Sequence, residues 1–195
     1  MIDSVFDFLV RMLPGILPAA ILYFCLLPIR RKKLAMRVLT SSRPREVLLL
    51  LFLLFCGGLA VLTLTPRWFH WLSILTGELT QIPPFFQLGN FNLTLFRTFS
   101  PDPTSMLILL GNIIMFIPLG FFPILLWQKC SIPKTALIGF LSVLFIECWQ
   151  LLIGRTFDID DFLLNLIGVS FGCLLCRALQ NMIPKVKQIF YVQPL

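Results

Sequence analysis

Charge is scarce in this sequence. Asp, Glu, Lys and Arg make up 13% of its 195 residues, about half the share of an ordinary soluble domain. Too little polar material is present to clothe a water-facing surface, so a soluble globular class is excluded. Histidine is scarcer still. His70 is the single one, set beside Trp68 and Trp71. A Ser-His-Asp triad would have to use it, and nothing around it points that way. Walker A and HExxH signatures are absent, which removes the nucleotide-hydrolysis and zinc-protease chemistries they carry. A basic leader is missing too, because the N-terminus "MIDSVFDFLV" carries two aspartates and no n-region cations. Nor is there an internal repeat or a low-complexity segment.

Six cysteines are present, yet they form no framework of exposed pairs. Cys25, Cys56, Cys173 and Cys176 fall inside apolar runs, Cys148 lies near the end of one, and Cys130 sits in a short loop. Disulfide stapling is therefore not expected. Cys173 and Cys176 make one CxxC without the second pair that a zinc site needs. "FDIDDFLLN" is a poor calcium loop, because Leu163 stands where an EF-hand counted from Asp158 needs glycine. No metal and no cofactor are expected.

What the sequence does have is apolar length. Hydrophobic residues make up 58%, with 20 Phe and 4 Trp, and the mean hydropathy is +0.92. A helix needs about 20 mostly apolar residues to cross a bilayer. Five stretches qualify, at about residues 12–29, 47–64, 106–127, 135–153 and 162–180. The expected fold is an all-α, polytopic membrane bundle of five transmembrane helices, with the lipid bilayer as its first partner. Residues 1–46 would hold the first helix and a basic loop, 47–180 the main transmembrane domain, and 181–195 a tail.

The net charge of +7 does not point to nucleic acid, because the basic residues flank apolar runs instead of forming a soluble face. The 30–45 loop, the 128–134 loop and the tail hold Arg30, Arg31, Lys32, Lys33, Arg37, Arg43, Arg45, Lys129, Lys134, Arg177, Lys185 and Lys187, which is 12 of the 16 basic residues. Arg11, Arg67, Arg97 and Arg155 fall on the other side. The positive-inside rule then places the N-terminus outside and the C-terminus in the cytoplasm. Eight of the nine acidic residues lie on the outer side, all but Glu46. "RRKKLAMR" reads first as a topology anchor and second as a cluster suited to anionic lipid. The long connection at about 65–105, rich in Phe and Pro, is expected to lie along or dip into the outer leaflet.

Polar groups concentrate in "ECWQLLIGRTFDIDDFLLNLIGVSFG", residues 147–172. Glu147 lies about six residues, roughly 9 Å, below the outer end of the fourth helix. Gln150 is three residues on and shares its face. Asn112 sits at a similar depth in the third helix, and Asn165 about one turn into the fifth. Arg155, Asp158, Asp160 and Asp161 would form a rim above them. Charge in hydrocarbon is costly, so Glu147 should face the bundle interior with Gln150, Asn112, Asn165 and Arg155 as partners. Two readings stand together: a polar clasp that locks three helices, and an outward-facing pocket for a polar or charged group. Asp in a first turn also serves as an N-cap and suits the helix dipole. Gly168 and Gly172 form a GxxxG for close packing, while Pro118 and Gly120 favour a kink in the third helix.

These blocks resemble the VanZ-like family. That family's pattern has an Asn before a phenylalanine–Pro–x–Gly turn, then Glu–x–x–Gln, an Arg, an aspartate-rich turn and Asn–x–x–Gly–x–x–x–Gly. The matches are Asn112, Phe116, Pro118, Gly120, Glu147, Gln150, Arg155, Asp158, Asp160, Asp161, Asn165, Gly168 and Gly172. "FNLTLF" resembles the family's Asn–Leu–x–Pro–Phe segment through Asn92, Leu93 and Phe96, with Leu95 where proline is common. The likeness spans roughly residues 47–177. It implies a bacterial inner-membrane protein with a cell-envelope role, or low-level resistance to teicoplanin-type glycopeptides, and it transfers no reaction. The ligand implied is lipid-linked or a lipophilic glycopeptide. Two other classes stay open. One is a membrane enzyme on a lipid-linked substrate, with Glu147 as general acid or base and Arg155 on a phosphate. The other is a proton-coupled transporter with Glu147 as the carrier.

Overall fold

The structure is a computed structural model that describes residues 2–66, 69, 74–76, 83–96 and 103–194, with side chains of residues 2–9 and 103–104 left out. Arg67, Trp68, His70, Trp71 and Arg97 lie outside the described residues. Six helices are described: α1 (Ile2–Ala35), α2 (Arg43–Leu64), α3 (Pro103–Leu126), α4 (Ile132–Leu152), α5 (Ile159–Met182) and the short α6 (Lys185–Phe190). The first five are long and apolar enough to cross a membrane, as the hydropathy pattern requires. Among the described residues, sheet is confined to two-residue strands: β1 (Leu39–Thr40), β2 (Phe91–Asn92), β3 (Phe157–Asp158) and β4 (Gln193–Pro194).

Helix boundaries follow local chemistry. Ser42 caps α2 by accepting the Arg45 N–H, and Pro44 occupies the first turn, where its missing donor costs nothing. Asp158 caps α5 by accepting the Asp160 N–H at 2.9 Å, so this helix begins earlier than its apolar run. Pro14, Pro18 and Pro28 all lie inside α1, which still runs past both ends of its apolar stretch.

The bundle is assembled from two close pairs, α3 with α5 and α1 with α2, with α4 against α5. The α3–α5 pair is in near backbone contact. A Cβ added at Gly168 would stand 2.3 Å from the Ile113 carbonyl oxygen, and one at Gly172 would stand 2.1 Å from that of Ile117. Gly120 on α3 faces the Val169 carbonyl in the same way. Only glycine leaves room for that approach at these positions. Phe116, Leu125, Val143, Val169, Cys173 and Cys176 fill the core beside it. By contrast, Leu17, Ile21 and Phe24 on α1 are exposed, as expected of a helix whose outer surface meets lipid.

Glu46, the exceptional acid, ties α1 to α2. Its carboxylate accepts from Arg30 at 3.0 and 3.2 Å, from Tyr23 Oη at 2.9 Å and from Ser41 Oγ. Beside it, the buried Arg45 donates to the Leu126 carbonyl of α3 at 3.2 Å. The C-terminal segment folds back over this end: β4 pairs antiparallel with β1, and Ser42 Oγ donates to the Ile189 carbonyl. At the opposite end the described part of the long connection is stitched to the α4–α5 turn. Strand β2 pairs parallel with β3, Gln87 bridges Ile153, and the Gly89 N–H donates to the Leu151 carbonyl at 2.7 Å.

Candidate functional site

At that opposite end, six of the polar residues singled out in the sequence line one cavity of about 310 Å³. Asn112 comes from α3, Glu147 and Gln150 from α4, Arg155 from the following turn, and Asp161 and Asn165 from α5. Their convergence follows from the packing. The α3–α5 glycine contact brings Asn112 level with Asp161, and the α4–α5 contact brings Glu147 level with Asn165.

The bonds within the site differ in part from the expected set. Asn165 Nδ2 donates to Glu147 Oε1 at 3.3 Å, the predicted cross-helix pairing. Asn112 turns to Asp161, donating to its Oδ1 at 2.6 Å. Gln150 and Arg155 reach α2 instead, donating to the carbonyls of Thr63 at 3.3 Å and Leu62 at 2.9 Å. Trp149 donates to the Leu64 carbonyl at 2.9 Å. Thus α2 is the fourth wall, held by its own carbonyls near its end.

Asp158 and Asp160 are not among the residues lining the cavity. Asp158 caps α5 and accepts from Asn92 Nδ2 at 2.7 Å. Asp160, almost fully buried, accepts the Phe96 N–H at 2.9 Å, where Phe96 holds a left-handed backbone (φ 64°). These two aspartates hold the 83–96 segment against the α4–α5 turn. The "FNLTLF" stretch and the aspartate-rich turn are therefore one structural unit. Pro118 lies mid-helix in α3, and Gly120, Gly168 and Gly172 lie at its contact with α5, outside the cavity lining.

Other lining residues, apart from Phe116 of the family pattern, had no sequence signal. Arg11 of α1 adds a second guanidinium, and Thr63, Thr65, Phe69, Met115 and Phe116 are also in the lining. Arg11 was legible as an outer-side cation, but nothing local tied it to a pocket whose other lining residues begin at Val61.

Two buried oxygens in this cavity have no hydrogen-bond partner among the described residues. They are Oε2 of Glu147 and Oδ1 of Asn165, on side chains 1% and 4% exposed. A buried acceptor without a donor costs about 1–3 kcal/mol, so a group that brings a donor here gains that much. Arginines lining the same cavity suit carboxylate or phosphate, which their planar fork binds in bidentate fashion. The arrangement can thus receive a head group that carries both an anion and a hydroxyl or amine. No group of three or more His, Cys, Asp or Glu suited to a metal occurs among the described residues.

No curated protein and no solved structure matches the chain. The VanZ/LLP1 family model matches residues 47–180, which run from most of α2 through nearly all of α5 and contain every lining residue of the cavity except Arg11. The chain is a member of the VanZ/LLP1 family.

Proposed function

We propose that this chain is a multi-pass cell-envelope protein of the bacterial inner membrane, and that its cavity holds the polar head of a lipid-linked or lipophilic glycopeptide-like molecule. Binding there would alter the access of such an antibiotic to its target and give low-level, teicoplanin-type resistance. One observation carries the reading: Glu147 and Asn165 each keep a buried, unpartnered oxygen in a cavity that Arg11 and Arg155 also line. A purely structural clasp would be expected to satisfy its own polar atoms, because unmet ones weaken it. Ionisable residues within a bundle also mark ligand or ion pathways more often than they serve packing.

The same constellation supports a second reading, an enzyme acting on a lipid-linked substrate. There Glu147 would move the proton and Arg155 would hold a phosphate. Proton-coupled transport is the third, with Glu147 as carrier.

One experiment separates them. The gene is deleted, and glycopeptide susceptibility and envelope lipids are measured with and without rescue by Glu147→Gln and Arg155→Gln at matched protein levels. Binding predicts that Glu147→Gln retains part of the rescue, because an amide still offers an acceptor, and that Arg155→Gln loses it. Catalysis predicts that Glu147→Gln abolishes rescue and that a lipid accumulates. Transport predicts that rescue collapses with an uncoupler. Full rescue by both variants would remove the site from the function.

A further inference from the structure

A second polar cavity, of about 400 Å³, lies at the opposite end of the bundle between α4, α5 and the folded-back C-terminal segment. Ser131, Arg177, Gln180, Lys187 and Tyr191 line it. Lys187 and Tyr191 lie beyond the family-matched residues, so this wall belongs to the chain's own C-terminal segment.

Three independent features converge there. First, it is electropositive. Arg177 and Lys187 line it, and no carboxylate side chain does so among the described residues. Among the described residues the acid of this end is Glu46, and it is engaged by Arg30, Tyr23 and Ser41. Second, the cavity reaches the start of α4. Ser131 is the N-cap there and its side chain makes no capping bond, leaving a hydroxyl beside the positive end of the helix dipole. Third, Gln180 is 2% exposed yet incompletely bonded. Its Nε2 donates to the Ile124 carbonyl at 3.3 Å and to Tyr191 Oη at 3.0 Å, and its Oε1 has no partner. Because Tyr191 Oη donates in turn to the Ile124 carbonyl, the amide orientation is fixed with its oxygen free.

We infer that this cavity binds a phosphate ester that also carries a hydroxyl, the chemistry of an anionic glycerol-phosphate head group. The two cations, the Ser131 hydroxyl and the helix N-terminus take the anion, and Gln180 Oε1 takes the hydroxyl. Basic pockets between membrane helices at the positively charged side suit such head groups. The volume lies within the range of small-ligand sites.

The test uses the purified full-length chain and counts retained lipids by native mass spectrometry. Phosphatidylglycerol should be retained about tenfold over phosphatidylcholine, because two cations face it. It should exceed phosphatidylmethanol, which has the same charge and no head-group hydroxyl, by about fivefold, the value of one hydrogen bond. Arg177→Gln with Lys187→Gln should remove the first preference without lowering the melting temperature. Gln180→Leu should remove the second. Should a variant fold poorly, the comparison of the three lipids on the wild-type chain still carries the test, and soluble glycerol 3-phosphate distinguishes the source of the ester. Displacement of lipid by it identifies a free ester as the ligand, and resistance to displacement identifies the lipid; both support the site. Equal retention of phosphatidylglycerol and phosphatidylcholine by the wild type would overturn the inference. So would a preference untouched in a well-folded double variant.

Discussion

Replacing Gly168 by alanine should open the candidate site from below. The added Cβ would stand 2.3 Å from the Ile113 carbonyl oxygen, 3.1 Å from the Ile113 carbonyl carbon and 3.1 Å from Phe116 Cβ. None of these atoms is a side-chain tip that can swing aside. An unstrained carbon–oxygen contact needs about 3.3 Å, so α3 and α5 must part by roughly 1 Å. Asn112 is the neighbour of Ile113, and its 2.6 Å bond to Asp161 spans the same two helices. Parting them by that much takes the bond past hydrogen-bonding reach. Overpacking of this kind costs about 1–3 kcal/mol, and loss of the bond adds about 1 more. For a chain of this length a cost of about 3 kcal/mol corresponds to a fall of about 10 °C in melting temperature. The control is Gly111→Ala on α3, where the new Cβ meets nothing within 4 Å. Alanine is the better helix former by about 1 kcal/mol, so this variant should match or exceed the parent. The assay is the thermal midpoint of each full-length chain purified in the same detergent. If Gly168→Ala melts with the parent, or Gly111→Ala falls as far, the close α3–α5 approach does not set the site and the reasoning fails.

Two further outcomes are expected. Glu46→Ala strands Arg30 and Tyr23 without their shared acceptor and should cost about 3 kcal/mol, read as a lower melting temperature. If the ion pair is the cause, Arg30→Gln in that background should cost little more, whereas additive losses would point elsewhere. For orientation, a cysteine at Phe157 should react with an impermeant thiol reagent in intact cells, above the reaction of the parent's own thiols. A cysteine at Lys33 should react only after permeabilisation, and the reverse pattern would invert the proposed topology.

Depth along a helix is written in the chain, but rotation about its axis is not. Counting at about 1.5 Å per residue places Glu147, Asn112 and Asn165 at one level, and the structure does bring them into one cavity. The same count assigned Asn112 to Glu147, whereas it bonds Asp161. Which partner a side chain meets depends on how α3 is turned against α5, and the backbone contacts at Gly120, Gly168 and Gly172 decide that. The aspartates show a second limit. The sequence offers three aspartates as possible caps without choosing among them, and Asp158 is the one that caps α5. That Asp160 would hold Phe96, 64 residues earlier, had no local signal.

By itself the sequence determined the class, the five spans, the bias of basic residues toward alternate loops and the family pattern. Each rests on composition or on spacing within a turn or two, which the local backbone enforces. Only the tertiary structure decided that Arg11 from α1 and the carbonyls of α2 wall the first cavity. Only it decided that the C-terminal segment folds back to close a second one around Gln180. Both are meetings of segments far apart in the chain, fixed by which helix faces pack together, and no count along one helix contains that information.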